Sequence, residues 1–260
     1  MRVELKRGEM ERLRVPMVAV LLAEEETLRD KPLAALDTAC GGVLSAVHQS
    51  GDFKGKLWTQ VLLYNPSAQG PRRILLIGLG KRASIDLERL RQAAARSVKR
   101  AGELGVKELA LHYPLRGPLT PAAAMALTEG AILGDYRYDR YLTPREGAPK
   151  RVDALTLLGG GTGLAAASAR GSVLGDVVCK VRDMVNAPAN ELTPTEMADR
   201  ATASARAFGY RAEVLDKRDM TRLGMGGLLA VTRGSDQPPR FIVLEHAGTD
   251  RKAAPLLLVG

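Results

Sequence analysis

Strand-like and helix-like segments alternate along residues 1–158 of this 260-residue chain. Short apolar runs typical of buried strands are separated by segments whose apolar residues recur at helical spacing. The strand-like runs are Met17–Leu22, Trp58–Tyr64, Arg73–Ile77, Val106–His112 and Arg151–Leu158. The helix-like segments are Leu33–His48, Asp86–Leu104 and Thr120–Leu133. This alternation predicts an α/β domain with a largely parallel sheet.

Cap residues predict where two of these helices begin. Asp86 precedes a segment with one apolar face, and Gly105 follows it, which predicts a helix over Asp86–Leu104. Thr120 and Pro121 have the residue types of an N-cap and of a first helical position. The pattern therefore predicts a second helix that begins there and continues through Leu133.

A glycine-rich segment over residues 159–163 interrupts the alternation and predicts the end of the first domain. The next segment, Leu164–Val185, has the length and the small residues of a closely packed connecting helix. Asn186, Ala187 and Pro188 end it, because the residue before a proline disfavours the helical conformation. We therefore predict an α/β domain over 1–158, a connecting helix over 159–185 and an incomplete second domain over 186–260.

The second domain begins with Thr193-Pro194-Thr195-Glu196, a capping box with proline at the first helical position. It predicts a helix that ends at Gly209. A strand over Arg211–Leu215, a short helix that ends at Gly224 and a strand over Phe241–Glu245 follow. The terminal run Pro255–Gly260 is typical of a buried parallel strand. Because ligands bind beyond the carboxyl ends of such strands, we expect the chain to stop where a site begins and to be part of a longer protein.

The composition is 45% hydrophobic and 26% charged, which is typical of a globular protein. No stretch approaches the ~20 apolar residues of a membrane span, and the N-terminus lacks the apolar core of a signal peptide. We therefore expect a cytoplasmic location. Cysteines and histidines are scattered without the spacing of a disulfide framework or a metal site. They are Cys40, Cys179, His48, His112 and His246.

A glycine-rich turn follows the predicted strand Arg73–Ile77. Residues 78–83 read Gly-Leu-Gly-Lys-Arg-Ala, which matches the Gly-x-Gly-x-x-Ala form of a dinucleotide-binding loop. Such a site also needs an acidic residue at the end of the next strand, and residues 111–116 contain none. A tight strand-to-helix turn is the favoured interpretation. A non-catalytic nucleotide-binding domain that uses Gly78 and Gly80 is the alternative.

Two segments in the second half carry a family signature. Residues 182–198 read RDMVNAPANELTPTEMA, and residues 223–235 contain LGMGGLLAV followed by RGS. Both segments resemble the leucyl (cytosol) aminopeptidases, which are two-metal exopeptidases, and the resemblance continues weakly over residues 1–158. In that family a lysine-containing, glycine-rich loop follows the terminal strand and supplies the first metal ligands.

The resemblance implies a fold, an activity and an assembly. It implies a macro-domain-like N-terminal α/β domain followed by the start of an α/β/α aminopeptidase domain. Complete relatives are hexamers that bind two zinc or manganese ions and remove N-terminal residues, leucine among them, from peptides. The metal and catalytic positions of the family all fall after Gly260. We therefore expect no catalytic, metal-binding or cofactor-binding residue in this chain, and no activity of the chain alone.

The carboxylates of the second half agree with this expectation, because they lie in predicted caps, turns and strand flanks without ligand-like spacing. None matches a metal position of the family. These carboxylates are Asp183, Glu191, Glu196, Asp216, Asp219, Asp236, Glu245 and Asp250.

The net charge of +9 at pH 7 raises a hypothesis of another class. Some bacterial members of the family that this chain resembles also bind DNA as architectural proteins, and a basic domain could share that role. The deciding feature is a contiguous basic face. Its candidate residues are Arg72, Arg73, Lys81, Arg82, Arg96, Lys99 and Arg100. The basic residues are spread along the chain, which favours an ordinary solvated surface.

Overall fold

The computed structural model describes residues 1–27, 30–113, 119–143, 146–250 and 254–260. Its strands are β1 (Arg2–Lys6), β2 (Met17–Ala23), β3 (Gln60–Tyr64), β4 (Arg73–Gly80), β5 (Glu108–His112), β6 (Ala154–Leu158), β7 (Arg211–Leu215) and β8 (Phe241–Glu245). Its helices are α1 (Lys31–Ala39), α2 (Val43–Ser50), α3 (Leu87–Glu103), α4 (Pro121–Asp135), α5 (Leu164–Asn186), α6 (Pro194–Phe208), α7 (Lys217–Arg222) and α8 (Gly226–Val231). The chain divides into two compact units, Met1–Arg182 and Asp183–Gly260.

The first unit is built on one sheet, whose described strands follow the order β1-β6-β5-β2-β4-β3. Neighbouring strands pair in parallel, except that β3 pairs antiparallel with β4. Parallel strands need crossover connections: α4 connects β5 to its neighbour β6, and α3 connects β4 to β5 across β2. The predicted α/β fold with a largely parallel sheet is therefore confirmed.

Two hydrophobic cores lie on opposite faces of this sheet, because successive side chains of a strand point to opposite faces. Along β2, Met17, Ala19 and Leu21 belong to the core that includes α3 and α4. Val18 and Val20 belong to the core that includes α1 and α2. All residues of β2 are buried. The first unit thus covers both faces of its central strand.

The predicted caps begin α3 and α4. The Asp86 side chain accepts a hydrogen bond from the Arg89 N–H at 2.8 Å, and Thr120 accepts one from the Ala123 N–H at 3.2 Å. Each cap satisfies a backbone donor that the start of a helix leaves unpaired. Both predicted helices are confirmed within two residues.

One predicted helix is broken, and one strand escaped prediction. Residues 31–50 form α1 and α2 instead of a single helix over Leu33–His48. Gly41 and Gly42 adopt φ angles of 71° and 80°, a left-handed conformation that ends a helix. Asp37 then accepts the Leu44 N–H at 2.8 Å and starts α2. The unpredicted strand is β1, which alternates charged and apolar residues over only five positions and pairs with β6.

The second unit pairs β7 with β8 in antiparallel fashion, and the longest helix that lies wholly within it is α6. Thr193 accepts the Glu196 N–H at 3.3 Å, and α6 ends at the predicted Gly209. α7 begins with an Asp216–Asp219 capping box, and α8 was not predicted. The buried apolar residues of this unit are few. Among those described they are Ala198, Ala205 and Met220.

The terminal run does not form the predicted strand over Pro255–Gly260. Residues 254–260 adopt no regular secondary structure, and the side chains of Leu256–Val259 are 81–87% exposed. A parallel strand needs a neighbour to take its backbone hydrogen bonds, and no described strand provides one. The strand prediction is wrong for this chain.

The division between the units falls within α5, between Arg182 and Asp183. Gly171 and Gly175 of α5 lie in close contact with Thr128 and Ile132 of α4. Most of the predicted connecting helix therefore packs with the first unit. The boundaries at residues 158 and 185 stay predictions.

Candidate functional site

The carboxyl ends of β2 and β5 lie side by side in the first unit. From β2 the chain continues to β3 and β4 on one side, and from β5 it continues to β6 on the other side. Ligands of open α/β sheets bind at such a reversal of strand order. The residues that follow the two strands here are Glu24–Glu26 and Tyr113, and His112 is the last residue of β5. The fold therefore places a candidate site at the carboxyl ends of β2 and β5.

Glu26 and Arg82 form a partly buried ion pair at the carboxyl ends of these strands. Their side chains approach within 2.6 Å, and the Glu26 side chain is only 2% exposed. Glu25 accepts the backbone N–H of Arg82 at 2.9 Å. These contacts tie the end of β2 to the segment after β4. A buried carboxylate needs such partners, because desolvation alone would oppose its charge.

His112 and Tyr113 are held in their neutral forms. Burial lowers the pKa of His112 to about 4, and its Nε2 is buried without a hydrogen-bond partner. Burial raises the pKa of Tyr113 to about 12, and the negative charge of Glu26 adds to the shift. The edge therefore combines one ion pair with two uncharged ring side chains. No described third carboxylate, histidine or cysteine joins them into a metal site.

The sequence analysis did not single out Glu26, and it found no metal-site spacing around His112. The signal that could have found Glu26 is the run of three glutamates directly after the apolar strand Met17–Ala23. His112 carries no such signal, because its burial depends on how β5 packs in the sheet.

The glycine motif is part of β4 rather than of a phosphate-binding turn. The Gly78 N–H donates to the Thr59 carbonyl at 2.9 Å, and the Gly80 N–H donates to the Gly55 carbonyl at 2.8 Å. A Cβ on Gly78 would collide with the backbone of Lys56. The amides of Gly78 and Gly80 thus form hydrogen bonds with residues 55–59 of the same chain. They are therefore not available to bind a phosphate. The structure does not favour the nucleotide-binding alternative. Residues 114–116 of the stretch that lacked an acidic residue lie outside the described residues.

The seven basic candidates do not form one contiguous face. Arg73 lies at the start of β4 and Lys81 directly follows its other end. Arg82 is paired with Glu26, and Arg100 is paired with Glu103 at 3.0 Å. Arg96 and Lys99 do lie together on α3, beside Arg100. The structure thus brings Arg96, Lys99 and Arg100 together and places Lys81 and Arg82 beyond the carboxyl end of β4.

The carboxylates of the second unit act as caps and ion-pair partners wherever their contacts are described. Asp216 accepts the N–H groups of Arg218 and Asp219, which lowers the pKa of its carboxyl. Glu196 pairs with Arg200 at 2.7 Å. Within the described ranges, no three His, Cys, Asp or Glu side chains converge on a possible metal position. The predictions for catalytic, cofactor-binding and metal-binding residues stay predictions.

Two family models match consecutive parts of the chain. The N-terminal domain of the cytosol aminopeptidase family matches residues 18–145, and the catalytic domain of the same family matches residues 179–260.

Individual relatives agree with these matches. A probable cytosol aminopeptidase of Roseiflexus castenholzii is 40% identical over 217 residues, which are 82% of this chain and 44% of the relative. One of Syntrophotalea carbinolica is 37% identical over 262 residues, 97% of this chain and 52% of the relative. The chain spans about half the length of the curated relatives it matches.

Solved structures share the fold. A tomato leucine aminopeptidase mutant superposes with a TM-score of 0.78 at 26% identity, covering 94% of this chain and 50% of that chain. The bottromycin maturation enzyme BotP in complex with Mn gives a TM-score of 0.71 at 30% identity, covering 91% of this chain and 46% of that chain.

Proposed function

Because the chain belongs to the cytosol aminopeptidase family, we propose that it is part of an enzyme that hydrolyses N-terminal residues, leucine among them, from peptides. The chain supplies the N-terminal domain and the opening part of the catalytic domain. The observation that carries this proposal is the match of two consecutive domains of one family along the chain. The likeness to leucine aminopeptidase in fold supports it.

The proposed activity depends on two divalent metal ions, manganese or zinc. One relative is described as a complex with Mn. The residues described in this chain do not fit such a centre, since none of their His, Cys, Asp and Glu side chains gather in groups of three. We therefore propose that this chain does not hydrolyse peptides by itself.

The resemblance further implies an assembly and a location, and we propose both: a hexamer of the complete enzyme, in the cytoplasm. In the part of the chain that the structure describes, no helix combines the length and the apolar character needed to cross a membrane.

The experiment joins the chain to the second half of the 37%-identical Syntrophotalea relative, starting where the match ends. With a leucine chromogenic substrate and manganese, the fusion protein is expected to turn over. The chain alone and the second half alone are expected to be inactive. Calorimetric titration with manganese should show tight binding to the fusion protein and none to the chain.

Two outcomes would overturn the proposal. Metal-dependent turnover by the pure chain would show that a complete site lies within it. A fusion protein that is folded and binds manganese, yet does not cleave the substrate, would contradict the proposal that this chain is part of an aminopeptidase.

A further inference from the structure

Among the described strands, β3 is the last one on its side of the sheet in the first unit. Its pairing with β4 leaves one row of its backbone N–H and C=O groups pointing outward. The Asn65 N–H donates to the Arg72 carbonyl at 3.0 Å, and the Gly78 N–H donates to the Thr59 carbonyl. Antiparallel pairs alternate, so these bonds fix which residues bond inward. The N–H and C=O groups of Gln60, Leu62 and Tyr64 therefore point away from β4.

The two edges of the sheet differ in how they are protected. At the β1 edge, Arg2, Glu4 and Lys6 form ion pairs of 2.9 and 3.1 Å along the strand. Charged side chains of this kind discourage pairing with another strand. At the β3 edge the corresponding residues Gln60 and Leu62 carry no charge. The β3 edge is therefore the one that can accept an added strand.

A basic groove of about 300 Å³ runs between β3 and α3. Its floor includes Leu62 and the fully buried Leu75. Three cations and one carboxylate line its wall: Arg96, Lys99, Arg100 and Glu103. Glu103 pairs with Arg100, so the groove keeps a net positive charge beside the open edge.

Trp58 contacts Arg96, one of the groove cations, and adopts a strained backbone conformation. Its φ of 62° is the one positive value among the described residues other than glycine. It occupies the third position of a turn closed by the Thr59 N–H and the Lys56 carbonyl at 3.0 Å. Glycine is usual at that position, and a bulky residue there is an outlier. The Arg96 guanidinium lies 4.5 Å from the Trp58 ring, which holds this cation beside β3.

We propose that β3 accepts an extended acidic segment of a partner protein as an additional strand. The backbone of the segment would bond to Gln60, Leu62 and Tyr64, as in β-strand addition. Its carboxylates, on alternate residues, would all face the groove and meet Arg96 and Lys99. The proposal is independent of the peptidase activity, because it uses the first unit alone.

Charge and geometry select this occupant over two others. A second copy paired through β3 would bring two basic grooves together, and like charges oppose that contact. A single-stranded nucleic acid would meet the basic groove but could not use the outward N–H and C=O groups as a strand does. Arg96 also covers one face of the Trp58 ring, on which a base could otherwise stack.

The test uses the whole chain and a labelled ten-residue peptide in which Glu and Thr alternate. Fluorescence anisotropy is expected to show binding about tenfold or more tighter than that of the matching Lys/Thr peptide. Amide hydrogen exchange by NMR is expected to slow at Gln60, Leu62 and Tyr64 on binding, with Val61 and Leu63 unchanged. This alternation identifies strand addition, because general screening by a bound peptide would protect all five residues.

A matched pair of charge reversals tests the groove. Lys99 is exposed, and none of the ion pairs described in the chain includes it. Lys99→Glu is expected to weaken binding of the Glu/Thr peptide about tenfold, and Lys31→Glu, an exposed lysine on α1, less than about twofold. Melting curves confirm that both variants are folded.

Three results would overturn the proposal. The first is equal affinity for the acidic and basic peptides. The second is a single-stranded oligonucleotide that binds tighter than the acidic peptide and is weakened by Lys99→Glu. The third is protection of Gln60, Leu62 and Tyr64 that rises with protein concentration without any peptide, since it would assign the edge to a second copy.

Discussion

β4 of the first unit and β8 of the second unit are both short apolar strands, yet they end up in different surroundings. β4 is buried along its whole length except at Arg73. β8 has no buried residue, and only Ile242 is half-buried. The difference lies in how each strand is surrounded. β4 contributes side chains to a hydrophobic core on each face of its sheet. β8 belongs to a two-stranded sheet, in which β7 is its one described partner.

The same contrast holds for the helices. α4 is buried along most of its residues, while α6 buries only Ala198 and Ala205 and leaves Phe208 69% exposed. Both helices begin with a threonine cap and a proline. Local signals thus form a helix in either unit, whereas its stability depends on packing. Each large apolar side chain that is fully buried contributes about 1.5–3 kcal/mol, so the two units should differ widely in stability.

The largest expected effect comes from removing one core side chain in the first unit. Leu75→Ala deletes a fully buried side chain of β4 and should lower the free energy of unfolding by about 2–5 kcal/mol. The matching substitution in the second unit, Val231→Ala, changes a side chain that is 84% exposed. It should change the free energy of unfolding by no more than about 0.5 kcal/mol. Urea unfolding followed by Trp58, the one tryptophan of the chain, measures the first unit, and circular dichroism measures both. Similar losses for both variants would remove the contrast between the units.

The sequence predicted most of the fold where a residue acts on its own neighbours. Asp86, Thr120, Thr193 and Gly209 set helix ends through local hydrogen bonds or backbone conformation, and these ends were predicted. The strand over Pro255–Gly260 was predicted from composition alone, although a strand also requires a partner. The break at Gly41 was missed because the apolar spacing continues across it.

The candidate sites were harder to predict, because they depend on which elements meet. Glu26 and Arg82 are 56 residues apart in the chain and form an ion pair only after β2 and β4 pair. Trp58 was interpreted as the first residue of a strand, whereas the structure places it in a strained turn under Arg96. Local sequence patterns do not predict such contacts between residues that are far apart in the chain.

A second expected effect is a pH response of the first unit. Burial lowers the pKa of His112 from 6.5 to about 4. Between these two pH values the His112 side chain is therefore protonated in the unfolded chain and neutral in the folded chain. Its stabilising contribution is complete above pH 6.5 and is lost as the pH falls toward 4, by up to about 3 kcal/mol.

Urea unfolding at several pH values, with His112→Gln as the reference, isolates this contribution. The reference removes the effect of other groups such as Asp135, whose pKa is raised by burial and which acts in the opposite direction. The variant should lose less stability than the natural chain between pH 6.5 and 4. Parallel curves would show that His112 is not buried in its neutral form.

A smaller effect should follow from adding one methyl group to a glycine. In α4, a Cβ on Gly130 would collide with the backbone of Arg91 in α3, so Gly130→Ala should cost about 1–3 kcal/mol. In α8, a Cβ on Gly227 meets no neighbouring atom, so Gly227→Ala should be neutral or slightly favourable. Thermal melts of the two variants check this pair. A neutral Gly130→Ala would mean that α3 and α4 pack less closely than described.

Amide hydrogen exchange on the whole chain, at a concentration where it is monomeric, tests the difference between the units most directly. Amides of β2, β4 and β5 should exchange only through global unfolding of the first unit. Amides of β7 and β8 should exchange orders of magnitude faster, because little apolar surface is buried around them. Equal protection of β8 and β4 would show that the second unit is stable by itself and would contradict the account.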